Sequence, residues 1–397
     1  MMFDNDRTFI ELGVDEKTSE PVKIDATKSQ RMLVCGKTGT GKSYTLGVCI
    51  EELQKLGDVI SLILDPQGIF WTMAEKNSNP IEADKLWQYN LSTQGFPINL
   101  MVPGNPVERF GDEEIVRELN NRGIEVQSLL LNPSDLTPEM WIELFDLDIN
   151  ELQGILLHKA VSNCFKTYGR DFLIDDINAE VIRLKALDTT KEAVERKLDM
   201  ARDWQIFSDS SYKEVWEILH TDKINILDLS VIAQGRYGLR NLVVAVLANF
   251  IFRKRTIARK REALGLPSDT KKVWLVVDEA HNFVPAGKNT LSKEILIRWA
   301  KEGRQPGLSL LVASQQPSAI DREILTQCGI RIVHRITSLD DFRAVNALSQ
   351  DFLEGGLGTL IKQLTRPGQA LLIDDEKEIV VPTQIRPRQS LHGGGSA

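Results

Sequence analysis

The stretch "GKTGTGKS", Gly36 to Ser43, restricts the folds open to this chain more than any other. It satisfies G-x-x-x-x-G-K-[ST], in which glycines let successive backbone N–H groups close around phosphate oxygens. Such a loop needs a strand entering and a helix leaving, because the helix N-terminus supplies further amides and a favourable dipole. The flanks comply: "RMLVCG" reads as a buried strand, and "SYTLGVCIEELQKLG" as a helix closed by Gly57. "DVISLILD" (58–65) is a second buried strand, so the order opens a parallel α/β sheet. Gly36, Thr38, Gly39, Thr40, Gly41, Lys42, Ser43 and Tyr44 are therefore candidate nucleotide-binding residues. Lys42 would reach the β- and γ-phosphates of ATP, and Ser43 would ligate Mg²⁺.

A second stretch, "VWLVVDEAHNF" (273–283), is an apolar strand from whose end two carboxylates emerge. Ligands of such sheets sit beyond the carboxyl ends of the strands, which turns Asp278 and Glu279 toward the nucleotide. Asp278 would hold Mg²⁺ through water, and Glu279 would act as general base on the attacking water. His281 reads as a local hydrogen-bonding residue. "DEAH" also occurs in two-lobed helicases, but the stretch from Asn282 onward shows no second motor with its own motifs. A single motor needs a further positive charge at the transition state, typically an arginine from a neighbouring subunit, so a ring is the expected assembly. "LVASQQPSAID" (311–321) is a strand stopped by Gln315, Gln316 and Pro317. Gln315 would either cap a loop or present its amide to the bound nucleotide.

These elements give an α/β fold with a mostly parallel sheet, interrupted by an all-helical insertion. Residues 1–30 form a short strand segment, 31–133 the first part of the core and 134–222 the insertion. Residues 223–385 complete the core, and 386–397 are a tail. The insertion is read from the helical periodicity of "PEMWIELFDL", "INELQGILLHKAVSNCF" and "KEAVERKLDMARDW". Apolar runs near 98–102 and 126–131 add strands. The sheet resumes at "KINILDLS", a long helix runs from Leu239 to Glu262, and five more strands follow. The closing "GGGSA" reads as a flexible linker.

Bulk properties narrow the functions. A net charge of −8 argues against coating nucleic acid by general electrostatics, while leaving room for a local basic channel. The four cysteines lack metal or disulfide spacing, and the five histidines form no cluster, so no nuclease or metal centre is legible. The longest apolar run, 242–252, is too short to span a bilayer, and the acidic amino terminus does not resemble a signal peptide. A cytoplasmic protein without a membrane role is expected. "FRKRTIARKRE" (252–262) carries Arg253, Lys254, Arg255, Arg259, Lys260 and Arg261 around a helix. These charges serve either as contacts to the DNA backbone or as a solvated helix extension.

Six motifs in order, "GKTGTGKS", "ILDPQG" (63–68), "VVDEAHNF" (276–283), "KEGRQPGLSLLVASQQPSAID" (301–321), "LTQCGIRIVHRI" (325–336) and "LTRPGQALLID" with a closing "IRPR", carry a resemblance. The chain resembles the HerA-like ATPases of the HerA–FtsK branch of hexameric P-loop DNA motors. The resemblance implies a RecA-like core, a helical insertion after the second strand and a hexamer translocating on double-stranded DNA; a partner nuclease or effector is expected because the chain itself shows no nuclease constellation. It also implies that Gln315 is a polar sensor of the γ-phosphate or attacking water, and that Arg304 is an arginine finger offered to the neighbouring subunit's ATP. A loop-capping Gln315 and a solvated Arg304 are the plainer alternatives. Gln316 stands where the family often has a basic residue, and Ile69 where an acidic one is common. The stretch before Gly36 is too short for the family's N-terminal β-barrel. Two other functions fit the motifs: a regulatory or scaffolding ATPase remodelling a protein partner in defence or repair, and a packaging or conjugation pump, for which no membrane segment speaks.

Overall fold

Strands that are apolar on both faces need cover on both faces, and this chain supplies several. In the computed structural model, which describes residues 8–208, 215–233, 238–348 and 356–394, they form the middle of one twelve-stranded sheet. The acidic residues 1–7, residues 209–214 of the insertion and the last three residues of "GGGSA" lie outside the described residues. In chain order the strands are β1 (Phe9–Asp15), β2 (Pro21–Asp25), β3 (Arg31–Cys35), β4 (Val59–Asp65), β5 (Ile98–Pro103), β6 (Ile124–Leu129), β7 (Ile224–Asp228), β8 (Lys272–Val277), β9 (Leu308–Ser314), β10 (Ile330–Val333), β11 (Gln369–Asp374) and β12 (Ile379–Ile385). Their order across the sheet is β2-β1-β12-β11-β10-β3-β9-β8-β4-β7-β5-β6. From β10 to β6 every pairing is parallel, and the pairings from β2 to β10 are antiparallel.

Side chains alternate across a strand, so each central strand feeds two apolar layers. Leu33 and Cys35 of β3 face one layer with Leu62 and Leu64 of β4, whereas Met32, Val34 and Ile63 face the other. The helix Lys42–Lys55 covers the second layer, and the long helix Leu239–Ala263 covers the first. The helices Pro138–Leu144, Leu152–Tyr168, Ile174–Arg183 and Asp188–Asp203 build the insertion. Trp141, Leu157, Val161, Ile177 and Leu198 belong to the same apolar cluster as the sheet, so the insertion packs on the core. It leaves the sheet after β6, two strands later than the position the resemblance implies. The cause is pairing: Ile98 stands opposite both Ile224 and Ile124, which places β5 and β6 beyond β7 before the helices begin.

The segment read as a tail begins inside the protein. Arg386 and Arg388 are buried, with Arg386 paired to Glu51 at 2.9 Å and to Glu52 at 2.8 Å on the Lys42–Lys55 helix. Gln389 and Ser390 donate backbone N–H groups to the same Glu51. Residues 386–390 therefore strap the helix that leaves the phosphate loop. Among the described residues no helix is long and apolar enough to cross a membrane.

Candidate nucleotide site

The order β3-β9-β8-β4 sets four parallel strands side by side, with neighbouring strands about 4.8 Å apart. Their carboxyl ends therefore present, in sequence of position, the phosphate loop, Gln315, the Asp278–Glu279 pair and Asp65. The loop turns through left-handed backbone at Gly39 (φ +77°) and Gly41 (φ +107°), and Gly41 caps the following helix. Thr40 Oγ1 donates to the Lys37 carbonyl at 2.7 Å and closes the loop on itself. Lys42, only 4% exposed, has its pKa lowered by burial, against the opposing pull of Glu279 and Asp278. Ser43 is half-buried in the first helical turn.

Asp278 is fully buried. Its Oδ1 accepts the Glu279 N–H at 2.9 Å, whereas Oδ2 has no hydrogen-bond partner. Burial, then the charges of Glu279 and Asp65, push its pKa up to about 7. Glu279 occupies left-handed backbone (φ 46°, ψ 51°), a conformation rare outside glycine and typical of sites that hold strain for a purpose. Its Oε1 accepts from Gln315 Nε2 at 2.6 Å and from Gln67 Nε2 at 3.4 Å. His281 Nδ1 lies 3.4 Å from its Oε2 and 3.1 Å from Ser314 Oγ, so this histidine links two strand ends. On the other side, Thr38 Oγ1 donates to Gln315 Oε1. Gln315 thus connects the phosphate loop to Glu279. Gln316 points outward, with its N–H on Ser314 Oγ at 3.0 Å.

Two sequence candidates stand apart. The Tyr44 hydroxyl donates to Glu82 at 2.7 Å and accepts from the Arg388 N–H at 2.7 Å, which ties it to the strap. Arg304 sits in the turn before β9, at the end of the sheet opposite Gln315; its carbonyl accepts from Ser29 Oγ at 3.4 Å. That turn is held by Arg255, 2% exposed, whose Nε donates to the Pro306 carbonyl at 2.8 Å and whose Nη1 meets Glu262 at 3.1 Å. Arg255 therefore leaves the basic run as a structural residue.

Three residues given no role by the sequence join the site. Asp65 accepts four backbone N–H groups, from Gln67, Gly68, Ile69 and Phe70, at 2.7–3.1 Å, and burial raises its pKa to about 6. It shapes the turn that delivers Gln67 to Glu279, while Ile69 packs against the apolar layer. His334, one residue past β10, lies behind the phosphate loop. A strand-end position beside β3 or β8 was the available signal, and strand order is what it required.

The donor set suits a nucleotide carrying a divalent cation. Mg²⁺ commonly takes phosphate oxygens, water and one or two carboxylates, and the orphaned Asp278 Oδ2 is a buried acceptor in need of such a partner. Among the described residues no group of three His, Cys, Asp or Glu side chains could hold a metal by itself.

Residues 10–254, more than half of the chain, match the family described as "Helicase HerA, central domain". A probable helicase of Methanocaldococcus jannaschii is 26% identical over 386 residues, covering 94% of this chain and 66% of that protein. The DNA double-strand break repair helicase HerA of Sulfolobus acidocaldarius is 26% identical over 368 residues, covering 90% of this chain and 64% of that protein. The chain thus spans just under two thirds of the length of these relatives. VirB4 of Thermoanaerobacter pseudethanolicus superposes with a TM-score of 0.61 at 15% identity, over 97% of this chain and 98% of that one. The shared architecture is the RecA-like P-loop core.

Proposed function

The chain belongs to the HerA helicase central-domain family, and from that premise we propose that it is an ATP-hydrolysing motor that translocates along or unwinds double-stranded DNA. The observation that carries this reading is the double hydrogen bond of Gln315, to Thr38 on the phosphate loop and to Glu279 after β8. A structural loop cap has no need to join those two residues. A sensor between bound phosphate and catalytic base does.

In this reading the loop amides and Lys42 bind the β- and γ-phosphates. Glu279 takes a proton from the attacking water as its oxygen bonds to the γ-phosphorus and the bond to the bridging oxygen of ADP breaks. Gln315 orients that water with an amide able both to donate and to accept. Mg²⁺, held by Ser43 and through water by Asp278, would neutralise charge on the phosphates. Arg304 lies at the end of the sheet opposite its own phosphate loop, which supports a role in a neighbour's site within a head-to-tail ring. A hexamer in the cytoplasm, with a partner nuclease or effector, completes the proposal. Repair of double-strand breaks is the role stated for the archaeal relative.

Steady-state ATPase with and without duplex DNA, on oligomers separated by size, tests this directly. DNA should bind and stimulate turnover at low salt, and both effects should fall steeply as salt rises. Turnover indifferent to DNA, with no DNA bound at low salt, would remove the motor. A partner-remodelling ATPase would then be the better reading, in keeping with the net charge of −8 and the burial of Arg255.

A further inference from the structure

The phosphate loop has a back wall. β10 pairs in parallel with β3, ending at Val333 opposite Cys35, and the next N–H, that of His334, donates to the Cys35 carbonyl at 2.8 Å. The pairing sets His334 against the first loop residue. A Cβ on Gly36 would lie 2.6 Å from the Cβ of His334, so Gly36 accepts no side chain while any residue with a Cβ stands at 334. One on Gly41 would lie 3.7 Å from Cε1 of the same ring. The Cβ of His334 therefore backs the entry of the loop, and its imidazole backs the exit.

Its hydrogen bonds fix how it sits. Nδ1 lies 2.9 Å from the Gln369 carbonyl oxygen, which only accepts, so Nδ1 carries the proton. Nε2 is then the acceptor, and the Thr45 hydroxyl donates to it at 2.9 Å. The side chain is fully buried, and burial holds its pKa down near 4, so the ring stays neutral. Thr45 is in the first turn of the helix that begins at Lys42, and its N–H also closes on the Gly41 carbonyl at 2.8 Å. Gln369 in turn gathers the 365–368 turn: its Oε1 accepts the N–H groups of Thr365 and Arg366 at 2.9 and 2.8 Å. Gly368 N comes within 3.8 Å of the Cβ place on Gly41. One neutral ring thus connects the helix start, the loop glycines and the turn beside them.

We propose that His334 is a positioning residue of the phosphate loop, holding the loop amides aimed at phosphate before any nucleotide arrives. The assignment rests on the nucleotide-binding reading above. Amides already aimed bind an anion without an ordering cost, and a loop that loses its back wall must meet that cost on binding. His334 touches no phosphate, so its loss should weaken binding more than it slows the chemical step.

Three variants separate positioning from plain packing: His334→Ala keeps the Cβ against Gly36 but removes the ring and both its hydrogen bonds, Thr45→Val removes one hydrogen bond and leaves the ring, and His334→Gln restores a donor and an acceptor. Each is titrated with ATP by calorimetry and assayed for KM and kcat, at a temperature where circular dichroism shows it folded. Thr45→Val should raise the ATP Kd and KM about threefold to tenfold with kcat within about twofold. His334→Ala should do so more strongly, and His334→Gln should recover part of the loss. Thr45→Val carries the test if His334→Ala does not fold. Variants with a lower Tm but wild-type ATP affinity would reduce His334 to a core residue. A wild-type protein that binds no ATP would instead overturn the nucleotide reading and this assignment with it.

Discussion

Gln315 Nε2 and Glu279 Oε1 are 2.6 Å apart, although the residues belong to different strands and are separated by 36 positions. The bond forms because β9 lies between β3 and β8, so the residue just past β9 faces the loop on one side and the acid on the other. It engages the carboxylate of a residue in left-handed backbone, which limits the freedom of Glu279 at both main chain and side chain.

Replacing Gln315 by Ala should therefore lower kcat more than it raises KM. Loss of one positioned donor near a reacting centre costs about 10²–10³ in rate. Steady-state ATPase checks this, and a kcat within about twofold of wild type would leave Gln315 as a loop cap.

Asp278 makes stability depend on pH in a definite direction. Its carboxyl is raised from 3.8 to about 7 by burial and by the neighbouring Glu279 and Asp65 charges. Between these values the folded protein keeps a proton that the unfolded chain has released, so stability falls as pH climbs from about 4 to about 7 and levels off above. Asp278→Asn removes its share of that slope and leaves the share of Asp65, whose carboxyl burial raises to about 6; at pH 8 the ligand-free variant should be more stable than wild type by about 1–3 kcal/mol. Urea unfolding of both proteins across this range is the measurement. Parallel profiles would show that Asp278 is not the group responsible.

The phosphate loop and the Asp278–Glu279 pair were legible in the sequence because each is contiguous and each follows its own apolar strand. Gln315 was legible as a strand end, and the geometry distinguishes it from Gln316. Gln67 and His334 carry no local mark; they matter because β4 lies beside β8 and β10 beside β3, and sequence order does not give that neighbourhood. Burial departs from the sequence reading in two places. Arg255 looked like one member of a solvated run, yet carbonyls of Pro306 and Thr270 draw it inside. Residues 386–397 read as a tail, because Glu51 and Glu52, which hold Arg386, are more than 300 positions away and no local pattern marks the pairing.

The strap itself should be needed for folding strength. Arg386, Glu51 and Glu52 are each 0% exposed at the side chain, so Arg386→Met leaves two buried carboxylates to be offset by Lys55, 2.6 Å from Glu52, and Arg388, 3.8 Å from Glu51. Breaking a buried pair on one side costs about 3–5 kcal/mol, and denaturant unfolding should show a loss of that size. A change under about 1 kcal/mol would mean that Lys55 and Arg388 suffice to offset Glu51 and Glu52.

Arg304 gives the sharpest test of assembly. It precedes β9 and Gln315 follows it, so the length of Leu308–Ser314, about 23 Å for an extended strand, separates Arg304 from its own phosphate site. Such an arginine contributes to hydrolysis only across a subunit boundary. Arg304→Ala and Lys42→Ala should each abolish turnover, the first by a factor on the order of 10³. Co-expressed in equal amounts, they should recover activity, because some boundaries then join an intact Lys42 on one subunit to an intact Arg304 on the next. With random mixing and independent sites, roughly a quarter of boundaries are of that kind, which sets the ceiling for rescue. Mixed oligomers no more active than either parent would remove Arg304 from the shared site, and a fully active Arg304→Ala protein would return it to the solvated surface.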